Sequence, residues 1–242
     1  MSGPNGRFAA VFFDLDGTLV SERTGVREAR TAIGIRLNEL GLYHKPASAF
    51  ADTVEMVIGG ILEDNDWQWP LWLHSEEWLR RTLAAAEVTV SEDEFRELNQ
   101  VYRDERSDRA EAIQGWPEAL AAARRHGPIG LITNFNDGPM QREKIRGAGL
   151  AGQFDGVYIS GEVGVWKPER GIFEHAANDL GVDPRECVHI GNNIQSDVEG
   201  AIGAGMMAVL VEEDDRPRPA SLDSEVVWCE DLQGVAEWLS GG

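Results

Sequence analysis

At 242 residues and 42% hydrophobic composition, the chain is long enough for one large core or for a core carrying an inserted second unit. A formal net charge of −20 excludes sequence-independent nucleic-acid binding, which depends on Lys and Arg displacing counterions from phosphates. No apolar run approaches the roughly 20 residues of a membrane helix, and MSGPNGRF has no basic-then-apolar leader, so the expectation is a cytoplasmic protein with no nucleic-acid and no membrane partner.

Residues 11–20, VFFDLDGTLV, begin as a buried strand over Val11, Phe12 and Phe13 and deliver two carboxylates into a turn. Asp14 ends the strand, Leu15 separates it from Asp16, Gly17 lets the chain turn and Thr18 offers a hydroxyl to the turn's backbone. One carboxylate is placed to attack and the other to move protons. An isolated D-x-D before glycine is more often an Asx turn that merely ends a core strand; the full string DLDGTL is far more specific.

From Ser21 to about Ala112 the pattern is helical. A first helix is predicted over residues 22–40, with Ala29, Ile33, Leu37 and Leu40 on one face and Gly41 as its stop. A second covers residues 49–62. A third opens at Pro70 and carries the stripe Leu71, Trp72, Ser75, Trp78, Leu79, Thr82 and Leu83. Trp72 and Trp78 lie at packing positions of that stripe, whereas Trp67 and Trp69 precede it and have less reason to be buried. Ser91 and Glu94 form a capping-box pattern ahead of a fourth helix through Phe95, Leu98 and Tyr102.

Beyond Gly115, helices and strands alternate, as in a parallel sheet with helices on its faces. Helices are expected over residues 117–125, 138–147, 168–180, about 197–204 and 232–239. Strands are expected over 129–133, 156–160, 187–191, 207–211 and 226–229, with the acidic, proline-containing stretch 212–219 as a surface loop. Cys187 and Cys229 fall in apolar segments with no metal-spaced partner and read as buried thiols. The predicted class is therefore α/β, a Rossmann-like, doubly wound parallel sheet from residues 1–20 and 113–242, with an α-helical unit inserted over 21–112.

Three further positions have chemical potential. Thr133 closes the 129–133 strand, with Asn134 after it, where a hydroxyl and loop amides can hold anionic oxygens. Lys167 precedes Pro168 in a chain with only three lysines, Lys45, Lys144 and Lys167, and arginine as its default cation; a compact ammonium there reads as a selected choice rather than a solvated side chain. The stretch HIGNNIQSD ends a strand in a glycine turn and places Asn192 and Asp197 after it.

DLDGTL, Thr133, Lys167 and the glycine turn, in that order, resemble the four motifs of the haloacid dehalogenase superfamily, and the inserted helical unit resembles its cap. The resemblance implies a Mg²⁺-dependent phosphatase that hydrolyses a small phosphorylated metabolite through an aspartyl-phosphate. Asp14 would be the nucleophile, Asp16 the general acid and base, and Lys167 the neutralising cation. Leu15, Asp16, Thr133, Asn134 and Lys167 would bind phosphate; Asp14, Asp16 and Asn192 would hold the metal, with Asp197 in its second shell. Asn192 departs from the family pattern, which has Asp there, and supplies an oxygen without a charge. Three alternatives stay open: a metal-independent 2-haloacid dehalogenase, which Asn192 invites and Asp16 opposes, a phosphomutase, and a non-catalytic relative acting as a binding or regulatory module. The particular substrate and the oligomeric state are left open by the sequence.

Overall fold

The structure, a computed structural model, describes residues 8–21, 25–64, 76–211 and 226–241. Leu71, Trp72 and Ser75 of the predicted third helix, Trp67 and Trp69 ahead of it, and the 212–219 loop lie outside the described residues. In chain order the first elements are β1 (Ala10–Phe13), α1 (Val26–Glu39), α2 (Ala47–Asp64), α3 (Glu77–Ala85), α4 (Glu92–Asp108), α5 (Trp116–Arg124), β2 (Ile129–Thr133) and α6 (Gly138–Gly147). They are followed by β3 (Gly156–Ile159), α7 (Ser160–Val163), α8 (Arg170–Asp179), β4 (Cys187–Gly191), α9 (Gly200–Gly203), β5 (Met207–Val211), β6 (Val227–Cys229) and α10 (Leu232–Leu239). The chain divides into two compact units, Met1–Glu22 with Glu111–Gly138 and Ala148–Gly242, and Arg23–Ala110 with Pro139–Gly147.

The first unit is built on a six-stranded, all-parallel sheet in the order β3-β2-β1-β4-β5-β6. Every residue of β1, β2 and β4 is buried, as expected of parallel strands covered on both faces. Strand order reverses between β1 and β4, so the crevice beyond their carboxyl ends is a topological switch point, where open α/β sheets place their ligands. The register puts Phe12 beside His189 and Phe13 beside both Leu131 and Ile190, and the Asp14 N–H continues the ladder to the Ile190 carbonyl at 2.9 Å. Since strand side chains alternate, Ala10, Phe12 and Cys187 share one face, packed on Ile172, Phe173 and Ala176 of α8 and Ala201 of α9. Cys187 and Cys229 are both free and buried.

After β4 the chain enters a widened, π-helical turn over Ile194–Glu199, in which the Val198 N–H reaches five residues back to the Asn193 carbonyl at 3.2 Å. The ordinary helix expected from about Asp197 is thus confined to α9.

In the second unit α1 packs against α2 and α4, and α2 against α3. Its core gathers Ile33, Leu37, Phe50, Val54, Trp78, Leu79, Phe95 and Leu98. The predicted capping box is formed: Ser91 Oγ accepts the Glu94 N–H while the Glu94 carboxylate accepts the Ser91 N–H at 2.7 Å.

Candidate active site

All the residues singled out at the strand ends belong to the first unit. The DLDGTL turn closes on one acceptor: the Leu15 carbonyl takes the N–H groups of Thr18, Leu19 and Val20 at 3.2, 2.9 and 2.9 Å. Gly17 has φ +79°, and a Cβ there would fall 2.1 Å from Asn192 Nδ2. Glycine is needed at this position both for the left-handed backbone and for the close approach of the Asn192 carboxamide. Thr18 Oγ1 lies 3.3 Å from Asp14 Oδ2 and 3.4 Å from Asn192 Oδ1. A hydroxyl has a single proton, so the two oxygens share one donor between them.

Lys167 is fixed at both its backbone and its head. The Asn134 side chain donates through Nδ2 to the Lys167 carbonyl and accepts the Lys167 N–H at Oδ1, both at 2.8 Å. Nearby, Trp166 Nε1 donates to Asn136 Oδ1 at 3.2 Å, and Ser160 Oγ accepts the Phe135 N–H at 2.9 Å, tying the β2 and β3 exits together. The buried Lys167 Nζ then lies 2.5 Å from Asp14 Oδ1 and 2.6 Å from Asp197 Oδ1. Asp197 also accepts the Asn193 N–H at Oδ2, 3.0 Å, and faces His189 Nε2 at 3.2 Å. Its carboxylate lies over Gly191, where a Cβ would come within 2.5 Å of Oδ2.

Two buried carboxylates thus share one ammonium. Burial pushes the Asp14 carboxyl up to about 7, ahead of what Lys167 takes back, and the neighbouring Asp197 and Asp16 charges add to the rise. Burial would raise Asp197 too, but the Lys167 ammonium and the His189 hydrogen bond more than reverse it and hold it well below the usual carboxylate range. Burial works against the Lys167 cation, and the Asp14 and Asp197 charges outweigh it, so its pKa is raised.

Thr133 is buried at the end of β2, in register with Ile159, and Asp16 is half-buried in the turn after β1. The roles of His189 and Asn193 and the clasp made by the Asn134 side chain become apparent only in the structure. His189 was reachable from the period-2 pattern, because Cys187, His189 and Gly191 alternate along β4 and the face of Gly191 is the one that turns toward the site.

The family model for haloacid dehalogenase-like hydrolases matches residues 8–205. The chain belongs to the haloacid dehalogenase-like hydrolase family. A phosphoserine phosphatase from Thermus thermophilus is 48% identical over 106 residues, 42% of each chain, so the match spans less than half of that relative's length. The human N-acylneuraminate-9-phosphatase is 29% identical over 213 residues, 84% of this chain and 82% of the relative. Among solved structures, a 2-haloacid dehalogenase from Pseudomonas syringae superposes with a TM-score of 0.72 at 23% identity, covering 97% of this chain and 99% of the other. At that identity the likeness is one of fold.

Among the described residues, no group of three or more His, Cys, Asp or Glu side chains is arranged to hold a metal. Mg²⁺, the ion this hydrolase family implies, needs no such cage: it takes oxygen ligands, commonly one or two carboxylates, and keeps several waters. Asp14 Oδ2 and Asn192 Oδ1 fit that requirement, since both approach the same Thr18 hydroxyl while Asp14 Oδ1 is occupied by Lys167. The excess of carboxylate over ammonium around Asp14 also favours a cation.

Proposed function

We propose that this haloacid dehalogenase-like hydrolase is a Mg²⁺-dependent phosphatase acting on a small phosphorylated metabolite, with residues 21–112 serving as the helical cap of a cytoplasmic enzyme. The reading is carried by the buried Asp14–Lys167 contact of 2.5 Å at the switch point of the sheet. A carboxylate paired with a fixed ammonium can attack a dianionic phosphoryl group whose charge that ammonium then shares. Phosphatases among the relatives, named for phosphoserine and for N-acylneuraminate 9-phosphate, support the substrate class.

In the proposed mechanism an Asp14 oxygen bonds to phosphorus as the ester P–O bond breaks, and Asp16 gives its proton to the departing alkoxide. Water then attacks the phosphoryl-Asp14, Asp16 takes the water's proton, and the Asp14–phosphorus bond breaks to release inorganic phosphate. Thr133 and the loop amides of Leu15, Asp16 and Asn134 bind the phosphoryl oxygens, while the Asn134 side chain holds Lys167 in place. Mg²⁺ held by Asp14, the Asp16 carbonyl and Asn192 would neutralise charge on the transferring group. Asp197 would act behind these ligands, through Lys167.

Asn192 favours a second reading, metal-free dehalogenation, in which Asp14 would attack carbon and displace halide. Asp16 weighs against it, because a halide leaving group requires no proton. The discriminating experiment is a panel of phosphate monoesters and 2-haloacids assayed with Mg²⁺ and with chelator. Hydrolysis of phosphate esters that needs Mg²⁺, disappears in Asp14→Asn and leaves a phosphoryl adduct on trapped wild type is the expected result. Chelator-resistant release of halide would replace this reading with the second.

A further inference from the structure

His189 is a fully buried polar side chain in the middle of an apolar sheet, and the phosphatase chemistry above gives it no task. Its ring stands edge-on to Phe173, with centroids 5.2 Å apart and planes at 87°. Its buried Nδ1 has no hydrogen-bond partner among the described residues. An apolar side chain at this point of β4 would avoid leaving that atom unsatisfied, which costs on the order of 1–3 kcal/mol. What the imidazole gains in exchange is one contact, Nε2 to Asp197 Oδ1 at 3.2 Å.

The direction of that bond follows from chemistry. Burial lowers the pKa of His189 and so favours the neutral ring, in which one nitrogen carries the proton and the other a lone pair. The nitrogen facing a carboxylate must be the donor, which places the proton on Nε2 and the lone pair on the unpartnered Nδ1. Asp197 Oδ1 therefore receives two donors, the Lys167 ammonium at 2.6 Å and the His189 N–H, while Oδ2 receives the Asn193 amide. Without the imidazole, Oδ1 would hold Lys167 alone, and the carboxylate would have one fewer constraint against turning about its Oδ2 bond to Asn193.

We propose that His189 is a positioning residue of the phosphoryl-transfer site, its Nε2–H locking the Asp197 carboxylate so that Asp197 keeps the Lys167 ammonium shared with Asp14. The kinetic consequence rests on the phosphatase reading; the hydrogen bond rests on the 3.2 Å approach of Nε2 to a carboxylate oxygen. Glutamine can place an amide N–H near the position of Nε2; leucine cannot donate. His189→Leu is expected to lower kcat by about 10–100-fold, the scale on which a misplaced catalytic group is felt, with KM changed by no more than about threefold. His189→Gln should recover kcat to within about threefold of wild type.

The test combines steady-state kinetics of both variants on a phosphate ester, their melting temperatures, and two-bond ¹H–¹⁵N spectra of the wild-type imidazoles at pH 7. The expected spectrum shows His189 as the neutral Nε2–H tautomer. A folded His189→Leu protein with wild-type kcat overturns the proposal, as does His189→Gln losing as much kcat as His189→Leu. If His189→Leu fails to fold, or if wild type hydrolyses no phosphate ester and the phosphatase reading itself has failed, the spectrum decides. An Nδ1–H tautomer or an imidazolium at His189 then overturns the positioning role.

Discussion

The side chain of Asn134 and the backbone of Lys167 bind each other twice, Nδ2 to carbonyl and N–H to Oδ1, each at 2.8 Å. A carboxamide is the side chain that offers a donor and an acceptor side by side, and here it acts as one rung of a sheet between the β2 exit and the loop before α8. Asn134→Ala removes both bonds and leaves two backbone groups of a partly buried loop to find water. The expected cost is about 1–3 kcal/mol of stability, together with a fall in kcat of about 10–100-fold as the Lys167 head moves off Asp14. Asn134→Asp keeps only the accepting half and should fall between the two. Urea melts and kcat for the three proteins check this; a wild-type kcat in Asn134→Ala would mean that the clasp does not position Lys167.

The pairing of two buried carboxylates with one ammonium makes stability depend on pH in a stated direction. Asp14 has its pKa raised from 3.8 to about 7, so the folded protein holds a proton that the unfolded chain has released, and stability declines as pH rises from about 4 to about 7. Asp197 works the other way, with a lowered pKa: its contribution is complete above the unfolded value and is lost as pH falls below it. Asp14→Asn leaves Lys167 and Asp197 as a balanced pair. In chelator it should therefore melt above wild type at pH 8 and converge with it near pH 4. The rise from 3.8 to about 7 limits the gain to about 4 kcal/mol. Melting curves that run parallel from pH 4 to 8 would remove Asp14 as the source of the dependence.

In the second unit, Trp78 is 9% exposed, belongs to the core with Leu79 and Phe95, and has its ring centroid 4.8 Å from that of Tyr102. The helical stripe marked it as a packing residue, and truncating such an aromatic removes both buried area and its contacts. Trp78→Ala should cost about 3–5 kcal/mol. Chemical denaturation measures this; an unchanged melting curve would assign Trp78 to something other than the core.

Several elements were readable because local chemistry fixes them. The runs 129–133, 187–191 and 207–211 are apolar stretches bounded by turn residues, and each is a strand with those limits. Ser91 and Glu94 carry their own geometry, and the capping box formed as spaced. The glycine of DLDGTL was recognisable as a turn, but its second requirement, space for Asn192, joins positions 175 residues apart and has no local signal. The same holds for the widened turn at Ile194–Glu199, whose sequence carries an ordinary helical composition. His189 falls on a face that alternation along β4 predicts, but its partner is set by the fold of the following turn. Asn134 was assigned to phosphate through its backbone amide, while its side chain is committed to Lys167. Alternation and spacing report which face a side chain takes; which partner waits on that face is a tertiary matter.

Asn192 is where charge and geometry can be separated. Its Oδ1 and Asp14 Oδ2 both approach Thr18 Oγ1, at 3.4 and 3.3 Å, so the oxygen count suits a magnesium ion while the negative charge is one lower than an aspartate would give. A unit charge near a divalent ion is worth a few kcal/mol even at an effective dielectric of about 20, which corresponds to about 100-fold in affinity. Neutral oxygens and waters are acceptable ligands for Mg²⁺, so binding in the wild type should be weak rather than absent, with activity requiring millimolar ion. Asn192→Asp changes no heavy-atom count; it exchanges the amide donor beside Gly17 for a carboxylate oxygen and adds the negative charge that a cation would feel. Calorimetric titration of Mg²⁺ into each protein, with the ion dependence of the initial rate on one phosphate ester as a second measure, should show both midpoints moving down in Asn192→Asp. If the two proteins bind with the same midpoint, or if wild type keeps its full rate in excess chelator, Asn192 is not a metal ligand and the metal-free dehalogenase reading gains the ground that magnesium loses.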